Sequence, residues 1–589
     1  MAKSSILITL IFTLFSMSAF STIHYHVSFD QAARHYVDVT MTASVKKGEE
    51  VTFSMPVWTP GSYKVRDFSQ HIVEYSIEGG QLKSYTKNTY TVEAEEKGDL
   101  KFSYTVYAFE VGVRHSYVDL NYAFLHGVSA FMYIQGRVNE DVEVHFDLPA
   151  SWKQIEVALD RKKGKPNTFC ADDYDLLADS PFALGNFDVG TYETAGVPHR
   201  IVMIGEGNYD LDKVTQDFKT ITDEQVKMFN GKHPCKQYVH FIQNVDQGGG
   251  GLEHLNSQTS QVNRWAYTNE SRYKSFLGLI SHEYFHLWNV KRIRPLELGP
   301  FDYETENYST LLWVAEGITS YYDDLFLYRS GIKSKDQYLN AVAYNINRLQ
   351  NQPGRLEMTL QESSKLAWVK AYLPNENSKN ETISYYNKGM VVALLLDLEI
   401  LKSSDNQKRL DDVMRYLMDE YYVKKKRGFT YEEFVDVCSS IAGKDIKPFF
   451  KKTVESTEEL DYSLLKAFGV TLNQETSEKS WLGLETKTSD GKTVVSYIHP
   501  AGPALKAGLS VNDEIISIDG WRVRGSLSDE TERLEAGKTY VLIYARDMKM
   551  AETELQAMTS PEVTFTVKET EDASEEILTN HQAWLPPLK

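Results

Sequence analysis

The stretch Phe-Leu-Gly-Leu-Ile-Ser-His-Glu-Tyr-Phe-His-Leu-Trp-Asn-Val at residues 276–290 decides how the rest of the chain is read. Its apolar residues and lack of proline predict a helix over 276–290, in which His282 and His286 lie one turn apart on one face. Two imidazoles so spaced reach one cation, while Glu283 is turned to the side, toward a water held there. The plainer reading is a buried helix whose histidines only make hydrogen bonds. A catalytic zinc takes three protein ligands and leaves its fourth position to water, so a third group must come from elsewhere. Cys170, Cys235 and Cys438 are too scattered to form a C-x-x-C pair, which leaves the carboxylates. Trp-Val-Ala-Glu-Gly-Ile at 313–318 offers Glu316 in an apolar helical stretch, where an ionised side chain is costly without a metal or a basic partner. Its alternative is an ordinary surface carboxylate.

Residues 23–187 alternate apolar and polar positions with period two, broken by Gly, Pro, Asn and Asp, which implies a β-sandwich. Pro-Val-Trp-Thr-Pro-Gly at 56–61 interrupts it and reads as a turn or a close backbone approach. Between 190 and 251 a strand at 238–242 mixes with a helix at 210–229. Beyond 275 the periodicity is helical: 390–401 is apolar nearly all round and predicts a buried helix, and Thr430 with Glu433 forms a capping box for a helix ending near Gly443. After 471 alternation returns, with Asp490-Gly491 as a two-residue hairpin signal. The tail beyond Glu569 is acidic and then proline-containing, and is expected to be loosely ordered. The expectation is a multidomain α+β protein. It comprises a signal peptide at 1–21, an N-terminal β-sandwich at 22–189, a small sheet plus helical lobe at 190–465, a β module at 471–570 and a tail at 571–589.

Composition narrows the partners. Acidic residues outnumber basic ones 82 to 63, a formal charge of −19, which repels a phosphate backbone and argues against nucleic acid. Lys3, an apolar run at 6–15 and small residues at 16–21 read as a secretory signal, too short to span a bilayer, so export to a periplasm or beyond the cell is expected without a membrane span.

A further element is Gly-Gly-Gly-Gly-Leu-Glu-His at 248–254, just after a strand. Glycines there permit an extended substrate to approach a sheet edge, and a carboxylate follows at once.

Together, Gly-Gly-Leu-Glu-His at 250–254, His-Glu-Tyr-Phe-His-Leu-Trp-Asn-Val-Lys-Arg-Ile-Arg-Pro at 282–295 and Leu-Trp-Val-Ala-Glu-Gly at 312–317 resemble the glycyl aminopeptidase family of metallopeptidases. Pro-Val-Trp-Thr-Pro-Gly-Ser-Tyr at 56–63 is similar to that family's N-terminal β domain. The resemblance implies a thermolysin-like catalytic domain with one zinc ion per chain held by His282, His286 and Glu316, and Glu283 as general base. It also implies that Glu253, beside Gly250 and Gly251, takes the place of the glutamate that captures a substrate's α-amine in the related aminopeptidase N family. Leu252 and His254 stand where that larger family has Met and Asn. Tyr-Tyr-Asn-Lys-Gly at 385–389 is similar to its Y-x-K-G segment, which makes Tyr386 the residue that steadies the tetrahedral intermediate. A small first residue, glycine or alanine, is the substrate preference implied. The last module resembles a PDZ domain, with Trp481, Leu482, Gly483 and Leu484 where the peptide carboxylate would bind. An endopeptidase of broad specificity and a catalytically silent PDZ-containing binding protein are the competing readings.

Overall fold

The computed structural model describes residues 22–525, 527–571 and 573–588. The expected signal peptide at 1–21 lies outside the described residues. Period-two alternation becomes buried and exposed faces in the first strand, Ile23–Ser28, where Ile23, Tyr25 and Val27 enter the core and His24 and His26 face solvent. This strand lies inside a seven-stranded sheet, parallel to Val142–Asp147 and antiparallel to Tyr36–Val45. Two four-stranded sheets complete the β-rich N-terminal domain, and their inner faces share one apolar core that includes Phe53, Phe102, Val92 and Met132.

The second region opens at Asp188 with a five-stranded sheet. Its strands run, in spatial order, Asp188–Thr194, Val197–Ile204, Tyr238–Val245, Ser257–Asn263 and Gly251–Glu253. The helix Leu211–Met228, capped by Asp210, provides the crossover between the parallel strands at 197–204 and 238–245. Among the described residues Gly251–Glu253 pairs only with Ser257–Asn263 and so forms an edge. Over this sheet lies the motif helix, Glu270–Phe285, followed by Ile318–Arg329, Lys335–Gln350, Asn387–Ser403 and Tyr431–Ala442. Asn387–Ser403 is buried nearly all round, and Tyr431–Ala442 has the Thr430/Glu433 capping box with Gly443 left-handed at its end.

Two expectations are corrected. The helix expected over 276–290 ends at Phe285, with His286 as its C-cap. There the chain turns so that the Asn289 carbonyl meets the His286 ring, a bond that a continued helix would not offer. The tail is ordered over its described residues, 573–588. A helix at Glu575–Trp584, capped by Ser574, buries Trp584 completely against the helical lobe. Trp584 Nε1 donates to the Tyr321 hydroxyl at 3.3 Å, and Arg409 donates to the carbonyls of Ala583 and Trp584. Acidic composition hid the apolar set Ile577, Trp584 and Leu585, which docks the element.

The C-terminal β module hangs on a two-stranded stalk in which Val470–Thr476 pairs with Val563–Glu569. Its first hairpin turns at Asp490 and Gly491, with φ of 51° and 74°, as a two-residue hairpin of this twist requires. All three cysteines are free thiols, and no helix among the described residues is long and apolar enough to cross a membrane.

Candidate active site

The motif helix and the Glu316 segment bring three ligand atoms together. His282 Nε2 lies 3.4 Å and His286 Nε2 3.2 Å from Glu316 Oε2, and all three side chains are largely or wholly buried. The opposite ring nitrogens are already engaged. His286 Nδ1 is 2.6 Å from the Asn289 carbonyl, which only accepts, so Nδ1 carries the proton and Nε2 keeps a lone pair. His282 Nδ1 faces Asp323 Oδ2 at 3.1 Å in the same way. Two lone pairs and a carboxylate oxygen within 4.8 Å of one another repel unless positive charge lies between them. Glu316 Oε2 has no hydrogen-bond partner although it is buried, the condition of a ligand atom reserved for a cation. Burial opposes ionisation of Glu316, and only positive charge on or between the imidazoles offsets that cost. Two imidazoles and one carboxylate make a donor set that suits zinc.

Local backbone structure explains how Glu316 reaches its place. Residues Trp313–Gly317 form a π-helical turn ahead of the helix Ile318–Arg329, and such a turn re-aims side chains. Wider turns loosen carbonyl bonding, and Asn289 Nδ2 supplies bonds to the carbonyls of Val314 at 2.8 Å and Ala315 at 3.1 Å. One asparagine thus joins the loop behind His286 to the segment carrying Glu316. From the other side the Asn387–Ser403 helix approaches closely. A Cβ on Gly317 would sit 2.5 Å from Gly389 Cα, so only glycines allow this crossing.

Glu283 faces the edge strand. A Cβ on Gly251 would come within 2.3 Å of Glu283 Oε1, so the glycine leaves room for the carboxylate. Burial raises the Glu283 carboxyl to about 7, with His282 and His286 pulling the other way. Glu253 stands in the same edge strand, and Glu253, Glu283 and His286 also present atoms within 4.8 Å of one another. Glu253 Oε1 is buried and unpartnered. The N-terminal domain closes over it, since a Cβ on Gly61 would meet Glu253 Oε1 at 2.5 Å. Gly250, with φ of 81°, has open space before it. Beside Glu253 lies a cavity of about 320 Å³ lined by Trp58, Tyr63, Asp179, Arg294, Phe301 and Tyr303 among others.

The Tyr386 ring is half-buried at the start of the Asn387–Ser403 helix, 6.2 Å from the His282 ring. Burial, and then Glu316, raise its phenol well above the usual range, so it remains an O–H donor. Tyr385 is fully buried beside it, its phenol raised well above the usual range by burial and then by Tyr372 and Glu316. Trp481, Leu482, Gly483 and Leu484 lie in the separate C-terminal module. There the Leu482 carbonyl accepts from Ala504 N and the Gly483 carbonyl from His499 N, which turns the following amides the opposite way.

Several residues at the site were missed in the sequence: Asp323 behind His282, Asn289 behind His286, and Tyr372, which senses the charges of Glu316 and Glu253; Gly61, in the stretch read as a turn or close approach, lies over Glu253, and Tyr63 senses the same two charges. Asp323 follows Glu316 by seven residues, two turns of helix, a spacing that offered a signal.

Fold and site define a metallopeptidase of the aminopeptidase class, a catalytic lobe flanked by a β-rich domain and a PDZ domain. The M61 glycyl aminopeptidase model matches residues 275–392, the peptidase M61 N-terminal domain model 24–186 and a PDZ domain model 480–556. The crystal structure of an aminopeptidase N family protein from Idiomarina loihiensis is 30% identical, covers 96% of this chain and 100% of its own, and superposes with a TM-score of 0.89. More distant are an M1 zinc metallopeptidase from Deinococcus radiodurans, at 13% identity over 75% of this chain and 95% of its own with a TM-score of 0.46, and aminopeptidase A from Legionella pneumophila, at 13% over 94% and 57% with 0.48. No curated protein sequence matches the chain. The chain belongs to the M61 glycyl aminopeptidase family.

Proposed function

We propose that the protein is an exported zinc aminopeptidase that removes the first residue from peptides with a free N-terminus, favouring a small residue such as glycine or alanine. The observation that carries this reading is the convergence of His282 Nε2 and His286 Nε2 on the unpartnered Glu316 Oε2, with Glu283 and Glu253 alongside. His282, His286 and Glu316 would hold the ion. Bound zinc supplies Lewis acidity, polarising a substrate carbonyl and acidifying a water toward ~7.

The chain's own residues do the rest. Glu283, its carboxyl raised by burial to about 7, takes the proton from the attacking water and returns it to the departing amine. The Tyr386 hydroxyl donates to the oxyanion that develops on the former carbonyl oxygen. Glu253 pairs with the substrate's N-terminal ammonium, which limits cleavage to the first peptide bond. The edge formed by Gly250 and Gly251 receives the substrate backbone as an added strand. Preference for a small first residue rests on the family's description as glycyl aminopeptidases. Export rests on the sequence of residues 1–21, and the PDZ domain is assigned to capture of an extended peptide.

Digestion of free and N-acetylated peptides, with first residues from glycine to phenylalanine, tests the proposal. Glu283→Gln should abolish turnover while metal content is unchanged, and Glu253→Ala should lose the discrimination between free and acetylated substrates. Normal turnover by Glu283→Gln would remove the proposed base. Equal cleavage of acetylated peptides by the native enzyme would make it an endopeptidase, and fastest release of phenylalanine would assign the cavity beside Glu253 to large side chains.

A further inference from the structure

We propose that His26, His145 and Asp147 form a second transition-metal site, on the solvent face of the N-terminal sheet and separate from the H-E-x-x-H centre. The strands Ile23–Ser28 and Val142–Asp147 run parallel, with His26 opposite His145 and Ser28 opposite Asp147. Tyr25, Val27, Val144 and Phe146 enter the core, so the alternate positions His26, His145 and Asp147 share the outer face. His26 Nε2 lies 2.7 Å from Asp147 Oδ2, and His145 Nε2 lies 3.2 Å from Asp147 Oδ1. The His145 ring is oriented by its Nδ1, 2.9 Å from Thr168 Oγ1, which leaves Nε2 directed at the carboxylate. All three side chains offer ligand atoms within 4.8 Å of one another.

The surroundings leave this trio to itself. Lys162 and Lys165 are both paired with Glu143, and Asp147 meets only the two imidazoles among the described residues. The rings are stacked, with centroids 5.5 Å apart and planes 11° from parallel. Histidine χ2 is broad, so a small rotation brings both lone pairs onto one ion at little cost. Two imidazole nitrogens and a carboxylate select Zn²⁺, Cu²⁺ or Ni²⁺ over Mg²⁺ and Ca²⁺, which require oxygen shells. Water completes the coordination, because the three side chains are 53%, 38% and 58% exposed, and the site is accordingly weaker than the buried one. A bound ion joins the first described strand to one more than a hundred residues later in the chain, and so stabilises the sheet.

The test counts zinc on the full-length chain by equilibrium dialysis against excess Zn²⁺ and elemental analysis. It compares native protein with His26→Asn/His145→Asn and with Asp147→Asn. The same comparison in a His282→Asn/His286→Asn background separates this site from the proposed catalytic one. The expected result is one zinc ion fewer per chain when the surface histidines are replaced, in either background, with peptidase activity retained in the first. Zinc should also raise the unfolding temperature of the His282→Asn/His286→Asn protein, and that rise should vanish with the surface histidines. An unchanged zinc count after the surface replacements would overturn the proposal.

Discussion

Gly251 carries more of the chemistry than its lack of a side chain suggests. An added methyl would fall 2.3 Å from Glu283 Oε1 and 2.4 Å from its Cδ, so the carboxylate must move. Gly251→Ala should lower kcat by about 100-fold, the scale of a 1 Å misplacement of a reacting group, while the unfolding temperature stays near native. Kinetics and thermal unfolding on one preparation check it. A variant with full kcat would mean that Glu283 has no fixed position to lose. Asp323 makes a second residue-scale case, since its Oδ2 orients the His282 ring from behind. Asp323→Asn should weaken zinc binding by about 10- to 100-fold, measured by competition with a chelator, because the neutral amide no longer enforces the ring's proton on Nδ1. His282, Glu283 and His286 were legible because their relation is local, three and four positions along one helix. Glu316 was legible as a carboxylate in apolar company. Asn289 was not, because its role depends on where the motif helix stops, and Asp323 showed only in its seven-residue spacing from Glu316.

At the scale of elements, the motif helix is fixed from beneath by an ordered set of neutral rings. His233 Nδ1 accepts from the Cys235 amide, so its Nε2 donates to the Tyr284 hydroxyl. Tyr284 then donates to His199 Nε2, and His199 Nδ1 donates to the Val197 carbonyl. Burial lowers His199 to about 4 and His233 to about 3. Both folded values are depressed below the ordinary 6.5. Between pH 6.5 and 4 the unfolded chain therefore binds protons that the folded one refuses. Stability should be fully present above pH 6.5 and fall as the pH drops, by about 1.4 kcal/mol per unit for each histidine. Urea unfolding of native protein and His233→Gln from pH 7 to 4 checks this. The variant should show the shallower pH dependence, by about one proton, and parallel curves would count against it. Most elements were readable from period and caps: the Asp490-Gly491 hairpin, the helix behind Asp210 and the capping box at Thr430. The C-terminal helix was not, because charge and proline masked the few apolar contacts of Trp584. Nor was the π-helical turn at Trp313–Gly317, since nothing in local propensity distinguishes it from an ordinary helix.

The whole molecule is assembled so that its last domain is an insertion. The stalk strands Val470–Thr476 and Val563–Glu569 are paired to their ends, with Thr476 opposite Val563, so residues 477–562 leave and return at one point. The stalk itself belongs to the catalytic lobe. Asn347 exchanges hydrogen bonds with the backbone of Phe565, Asn351 does so with Val563, and the helix beyond carries Trp584 into the core. Contacts between the PDZ domain and the lobe are slight by comparison. Asn380 bonds to the Ile498 carbonyl and to the Tyr497 hydroxyl, and the Lys379–Glu485 pair is more than half exposed, a kind of ion pair that contributes little. Two deletions should therefore behave oppositely. Replacing residues 477–562 by an Asn-Gly turn should leave a folded enzyme with unchanged kcat/KM on a short free-amine peptide, because the turn closes strands already in register. Ending the chain after Thr476 removes the same PDZ domain and, in addition, the partner strand and Trp584, whose buried side chain alone is worth about 3–5 kcal/mol. That protein should unfold at a much lower temperature and lose activity with its fold. If the first deletion folds normally yet cannot cleave the short peptide, the PDZ domain takes part in the chemistry and is more than a module for capturing longer substrates.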